Sequence, residues 1–82
     1  MRLTEDSQAD IRGLAPRDRD RVHERLKLLR MEPRRAPGVT NLVRLEGYRM
    51  KVGRYRALFI VRDEDHSVLV TRVLLRNEGT YK

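Results

Sequence analysis

The side chains best placed to do chemistry in this sequence are cations. From residue 47 onward stand Arg49, Lys51, Arg54, Arg56, Arg62, Arg72, Arg76 and Lys82, against only Asp63, Glu64, Asp65 and Glu78. Three of those acids fall together in one expected turn, so the strand bodies around it carry no negative charge. Guanidinium forks and ammonium groups suit phosphate oxygens, and a tyrosine ring can stack on an unpaired base. Tyr48, Tyr55 and Tyr81 are interleaved with the cations. Tyr48 and Tyr55 alternate with core residues, which marks them for packing, while Tyr81 has no apolar neighbours and is open to either role. The Arg34-Arg35 pair is a further candidate for phosphate contact, or simply solvated loop charge. Other chemistries leave no trace. There is no cysteine, hence no thiolate and no disulfide. No Gly-rich phosphate loop, metal-ligand spacing or nucleophile–His–acid set is visible, and no cofactor is implied. His23 beside Val22 and His66 in a turn read as surface histidines.

These cations need a scaffold, and the hydrophobic pattern supplies one. From Tyr48 the period is two: Tyr48, Met50 and Val52 point one way, Arg49 and Lys51 the other. Gly53-Arg54 fits a two-residue hairpin turn with Gly first. Tyr55, Ala57, Phe59 and Val61 then alternate with Arg56, Leu58 and Ile60. The Asp63-Glu64-Asp65-His66 turn follows, and Ser67 to Leu75 is apolar on both faces, as in a central strand. Arg56 thus lies on the strand beside Arg49 and Lys51. Arg72 and Arg76 share a face if the last strand stays extended.

Upstream, Thr4 caps a short helix from Glu5 to about Gly13, with Leu3, Ile11 and Leu14 as core contacts. Pro16 opens a second helix running to about Met31. Val22, Leu26 and Leu29 form its apolar stripe, widened by Leu28 and Met31. Arg17, Asp18, Asp20, Arg21, Glu24, Arg25 and Lys27 read as its solvated face. Glu32 to Asn41 reads as a loop. The expected fold is α+β: an N-terminal helical hairpin packed on a three- to four-stranded, mainly antiparallel sheet, with Met1–Leu3 as an edge strand. Residues 1–82 form a single domain.

Composition agrees with this frame. Eighty-two residues with 19 basic and 12 acidic side chains give a net charge of +7. A chain this short buries only about 60% of its unfolded surface. Net charge of that size favours a polyanionic or acidic partner. No apolar run approaches the roughly 18 residues of a membrane span, and the N-terminus has no signal-peptide pattern. The expectation is a cytoplasmic protein with no membrane partner.

Two stretches then fall into a known pattern. Asn41-Leu42-Val43-Arg44-Leu45-Glu46-Gly47 runs into Tyr48-Arg49-Met50-Lys51-Val52-Gly53-Arg54-Tyr55-Arg56-Ala57-Leu58-Phe59, and an apolar strand ends in Arg76 and Tyr81. Over nearly its whole length the chain resembles the RelE/ParE toxin superfamily of type II toxin–antitoxin systems. The resemblance implies a RelE-like fold and a cognate antitoxin that covers the toxin with an acidic amphipathic helix. RelE-like members are endoribonucleases that cut messenger RNA on the ribosome; ParE-like members poison DNA gyrase. The RelE-like catalytic pattern falls on Arg49, Lys51, Arg56, Arg76 and Tyr81. Arg49 and Arg56 would stabilise a phosphorane, Lys51 would act as base, Arg76 would assist the leaving oxygen and Tyr81 would orient a base. Arg54, Arg72, Lys82, Arg34 and Arg35 are the candidate RNA contacts around them. Leu75 stands where many members have His, and Glu78 adds a negative charge beside Arg76. A translation-arresting endoribonuclease, a gyrase inhibitor and a non-catalytic RNA-binding domain are the three readings.

Overall fold

The computed structural model describes residues 1–41 and 47–75. Strand β1 (Arg2–Leu3) leads into helix α1 (Glu5–Arg12), and helix α2 (Pro16–Lys27) ends in a 3₁₀ turn over Leu28–Arg30. Four strands follow: β2 (Val39–Asn41), β3 (Tyr48–Val52), β4 (Tyr55–Arg62) and β5 (Ser67–Leu75). They form one five-stranded sheet in the order β1-β5-β4-β3-β2. All neighbours are antiparallel except β1 and β5. One face of this sheet meets the helices. Met50, Val52, Ala57, Phe59, Val68, Val70 and Val73 bury there against Ile11, Val22, Leu26, Leu29 and Ala36. The fold class read from the sequence holds, and so do the two hairpin turns. Val52 pairs with Tyr55 across Gly53-Arg54, and Arg62 with Ser67 across the acidic turn. Gly53 has φ 58°, which a primed hairpin turn requires and which glycine adopts without a steric penalty.

Three details differ from the sequence expectation. The sheet has five strands because Val39–Asn41, read as loop, pairs with β3. Val39 and Thr40 are β-branched and suit a strand, but three residues are too few to show alternation. Second, α2 stops at Lys27 rather than running to Met31. Glu32 precedes Pro33, a position where helical backbone is disfavoured, and the tighter 3₁₀ turn closes the helix early. Leu29 stays buried, whereas Leu28 and Met31 are exposed instead of widening the stripe.

The third is a bulge in β5. Leu58 pairs with Arg72, but the next residue, Phe59, pairs with Val70, so Thr71 is an extra residue. Strict alternation from Val68 and Val70 would send Arg72 into the core. The bulge resets the phase, leaving Arg72 exposed and Val73 buried. The N-terminal segment holds this irregular edge. Thr4 donates its backbone N–H to the Val70 carbonyl (3.0 Å) and its hydroxyl to the Thr71 carbonyl (2.8 Å). The same Thr4 Oγ1 accepts the Ser7 N–H at 3.1 Å, capping α1. One turn later, Asp10 Oδ2 accepts the Val73 N–H at 2.9 Å and the Arg72 Nε at 2.7 Å. Where β1 ends, α1 therefore takes over the hydrogen bonding of the β5 edge. Burial alone would raise the Asp10 pKa, but the Arg72 hydrogen bond, the Val73 N–H and the Arg72 charge together bring it below the usual aspartate value.

Thr4→Ala removes the cap and strips the Thr71 carbonyl of its hydroxyl donor. Urea unfolding should show a loss of about 1–2 kcal/mol, with Thr4→Ser recovering most of it. Asp10→Asn tests the edge clamp by pH. A carboxylate whose folded pKa is lowered stabilises above its unfolded pKa, and that contribution is lost as pH falls through the folded value. The stability gap between wild type and Asp10→Asn should be largest near neutrality and should close as pH falls from the usual aspartate range through the lowered folded value of Asp10.

Candidate functional site

The strand phase that buries Met50, Val52, Ala57 and Phe59 fixes the other face of the sheet. Arg49 and Lys51 of β3 and Arg56 of β4 emerge there, away from the helices. The register makes Lys51 the direct partner of Arg56 and Arg49 the partner of Leu58. Directly opposed side chains have Cβ atoms about 4.5–5.5 Å apart, and like charges in such a pair oppose folding. The three cations surround a shallow depression of ≈ 200 Å³, completed by Gly38 and Thr40. Thr40 pairs with Arg49 across β2 and β3, and its hydroxyl accepts the Arg49 Nε at 2.9 Å. That bond sets the direction of the Arg49 guanidinium while leaving its charge uncompensated by Thr40. Arg49 and Arg56 are half-buried and Lys51 is exposed. The concentrated positive charge can hold a phosphate and favour a phosphate that gains charge during reaction.

Thr40 and Gly38 were not singled out by the sequence. Their signal was the pair of β-branched residues at 39 and 40, too short to register as a strand. Gly38 has φ 82°, and a Cβ there would come within 3.1 Å of the Lys51 carbonyl oxygen. Glycine lets the chain entering β2 press against β3 beneath the depression.

The remaining candidates are dispersed. Arg72 is paired with Asp10. Arg34 makes a two-pronged ion pair with Asp63, at 2.8 and 3.0 Å, and donates Nε to the Tyr48 hydroxyl at 2.7 Å. The Arg34 hydrogen bond and charge lower the Asp63 pKa, and the bonds to Asp63 and Tyr48 raise that of Arg34. This network ties the 32–38 segment to the β4–β5 turn. Arg35 stands 3.7 Å from Glu32 and is exposed. Arg54 lies at the β3–β4 turn, on the α2 side. Arg76, Tyr81 and Lys82 lie outside the described residues. So does most of the Asn41–Gly47 stretch. Tyr48 stacks on Phe59 with centroids 5.5 Å apart, and Tyr55 donates its hydroxyl to Asp18 at 3.1 Å. Both tyrosines serve packing. Among the described residues, no three His, Cys, Asp or Glu side chains gather closely enough to hold a metal ion, and no helix is long and apolar enough to cross a membrane.

Comparison with known proteins places this arrangement. No curated protein matches the sequence. Among solved structures, the chain is similar to the RelBE2 toxin–antitoxin complex of Mycobacterium tuberculosis, with 30% identity, TM-score 0.80, and 90% of this chain and 93% of the other covered. The archaeal RelE–RelB complex of Pyrococcus horikoshii shares the fold at 22% identity, TM-score 0.79 and 94% and 93% coverage. The intact RelBE toxin–antitoxin complex of E. coli does so at 23% identity, TM-score 0.77 and 93% and 94% coverage. The family model for the ParE toxin of the type II toxin–antitoxin system parDE matches residues 1–79. With that match spanning almost its whole length, the chain belongs to the ParE toxin family of type II toxin–antitoxin systems, within the RelE/ParE superfamily.

Proposed function

We propose that this toxin is a metal-independent endoribonuclease that cuts messenger RNA on the ribosome and so arrests translation. One observation carries the reading: Lys51 stands directly opposite Arg56, with Arg49 two residues along the same strand face, around one depression. Cations at that spacing can converge on one phosphate, each meeting a different oxygen. The reaction needs little else from the protein. The ribose 2′-oxygen attacks the adjacent phosphorus, a bond forms between them, and the bond from phosphorus to the 5′-oxygen breaks. Arg49 and Arg56 stabilise the extra negative charge of the phosphorane, which is binding of the transition state over the ground state. The 2′-hydroxyl proton passes to Lys51 as general base, and the departing 5′-oxygen takes a proton from solvent. Arg76 and Tyr81 complete the set by assisting the leaving group and orienting a base. The ribosome supplies the alignment of the strand.

The partner in the cell is a cognate antitoxin. The solved relatives above are toxin–antitoxin complexes, and a net charge of +7 suits an acidic amphipathic helix laid over the cations. The match to a ParE family model favours a second reading, inhibition of DNA gyrase. That reading calls for no cation cluster, and cells distinguish the two.

Lys51→Ala and Arg56→Ala should each lower cleavage of message in programmed ribosomes by about 100-fold or more. Lys51→Gln, by relieving the like-charge pair, should also raise unfolding stability by about 0.2–1 kcal/mol. Wild-type cleavage rates in both alanine variants would sink the endonuclease reading. Intact messages with trapped DNA breaks in cells expressing the wild-type chain would replace it with the gyrase one.

A further inference from the structure

We propose that the RNA strand continues from the Arg49–Lys51–Arg56 depression around the β3–β4 hairpin and along α2, where Arg21, Arg17 and Arg54 hold its phosphates. The proposal rests on reading that depression as a phosphate site and extends it. Two more depressions adjoin the first. One, of ≈ 420 Å³, lies between Arg21, Arg25, Gly38, Lys51 and Gly53. The next, of ≈ 430 Å³, lies between Arg17, Asp18, Arg21, Gly53 and Arg54. Gly38 and Lys51 are common to the first two, and Arg21 and Gly53 to the last two, so the three make one path.

The path is cationic throughout. Arg17, Arg21 and Arg25 fall at i, i+4 and i+8 of α2, one stripe with steps of about 6 Å. That repeat suits a polymer bearing one charge per nucleotide. Arg25 is anchored by donating to the Pro37 carbonyl at 2.7 Å, a neutral acceptor that leaves its charge in place. Among the described residues, no ion pair occupies Arg17, Arg21 or Arg54. Among the described residues, Asp18 is the one acid lining the path, and it accepts the Tyr55 hydroxyl. Glu24 pairs with Lys27 at 3.2 Å, and neither it nor Asp20 lines the depressions.

Two glycines keep the floor low. A Cβ on Gly53 would meet Arg21 Nη1 at 3.0 Å, and one on Gly38 would meet Arg25 Nη2 at 3.2 Å. Both guanidiniums therefore lie against bare backbone, where a phosphate can approach without a side-chain wall. Among the described residues, the apolar side chains lining the path are Ala15, Val52 and Tyr55. Val52 is buried and Tyr55 is half-buried with its hydroxyl bonded to Asp18, so no large exposed anchor of the kind that carries protein–protein affinity stands among them. A nucleic-acid backbone fits it better than an acidic protein segment.

The test is the salt dependence of binding to a short, non-cleavable 2′-O-methyl oligoribonucleotide, read by fluorescence anisotropy. Each phosphate contact on a single strand contributes about 0.7 to the slope of log K against log salt. Arg17→Gln/Arg21→Gln should flatten the slope by about 1.4 and weaken binding. The charge-matched control Arg2→Gln/Arg12→Gln, away from the path, should leave the slope as in wild type. Equal flattening in both double variants, or none in either, overturns the proposal. So does a loss confined to polyglutamate, run as a parallel probe, since that would assign the path to an acidic protein. If the wild-type chain binds as described but leaves messages uncut on ribosomes, the endonuclease reading fails and the path stands. If messages are cut while the slopes do not change, the path fails alone.

Discussion

Strand alternation is the constraint on which the rest of this molecule depends. A chain of 82 residues can fill one apolar layer, and here that layer lies between two helices and one face of the sheet. Every residue the core takes from a strand sends its neighbours to the other face. Burying Met50 and Val52 turns Arg49 and Lys51 to the opposite face, and burying Ala57 turns Arg56 outward beside them. The core thus selects the face on which the cations stand. No separate device is needed to gather the cations, because the two-residue hairpin at Gly53-Arg54 fixes the register that aligns them.

The constraint also explains the irregular end of β5. Its sequence breaks phase between Val70 and Val73, and a bulge at Thr71 absorbs the extra residue. A bulge leaves backbone groups without ladder partners. On the other edge of β5, beyond the end of β1, Thr4 and Asp10 of the N-terminal segment bond the Thr71 carbonyl and the Val73 N–H. The N-terminal and C-terminal parts of the described chain are therefore tied directly, and the clamp sits where β5 leads toward Arg76.

Much of this could be read from the sequence, for local reasons. β3 and β4 alternate core residues with outward-facing ones, β5 is apolar on both faces, and their turns carry recognisable residues. α1 begins at its Thr4 cap and α2 at Pro16. The missed features depend on distant partners or on very short segments. β2 is three residues long and is a strand only because β3 offers an edge. Nothing local distinguishes Thr71 from an ordinary strand residue. The fates of Arg72 and Arg34 are set by Asp10 and Asp63, 62 and 29 residues away. The arginines of α2 read as a solvated face, and the glycines that border two of them, Gly38 and Gly53, come from other elements. A cation's type is legible in a sequence, but its availability is decided by the fold.

In the proposed reaction the strand is cut by its own 2′-oxygen, with Arg49 and Arg56 stabilising the phosphorane and Lys51 taking the proton. The most direct measurement maps a cut made by the wild-type toxin in a ribosome-bound message, then replaces the nucleotide 5′ to that cut with its 2′-deoxy form. The account predicts a 2′,3′-cyclic phosphate on the upstream product of the normal message and no cut at the deoxy position. Cleavage of the deoxy message at an undiminished rate would contradict it.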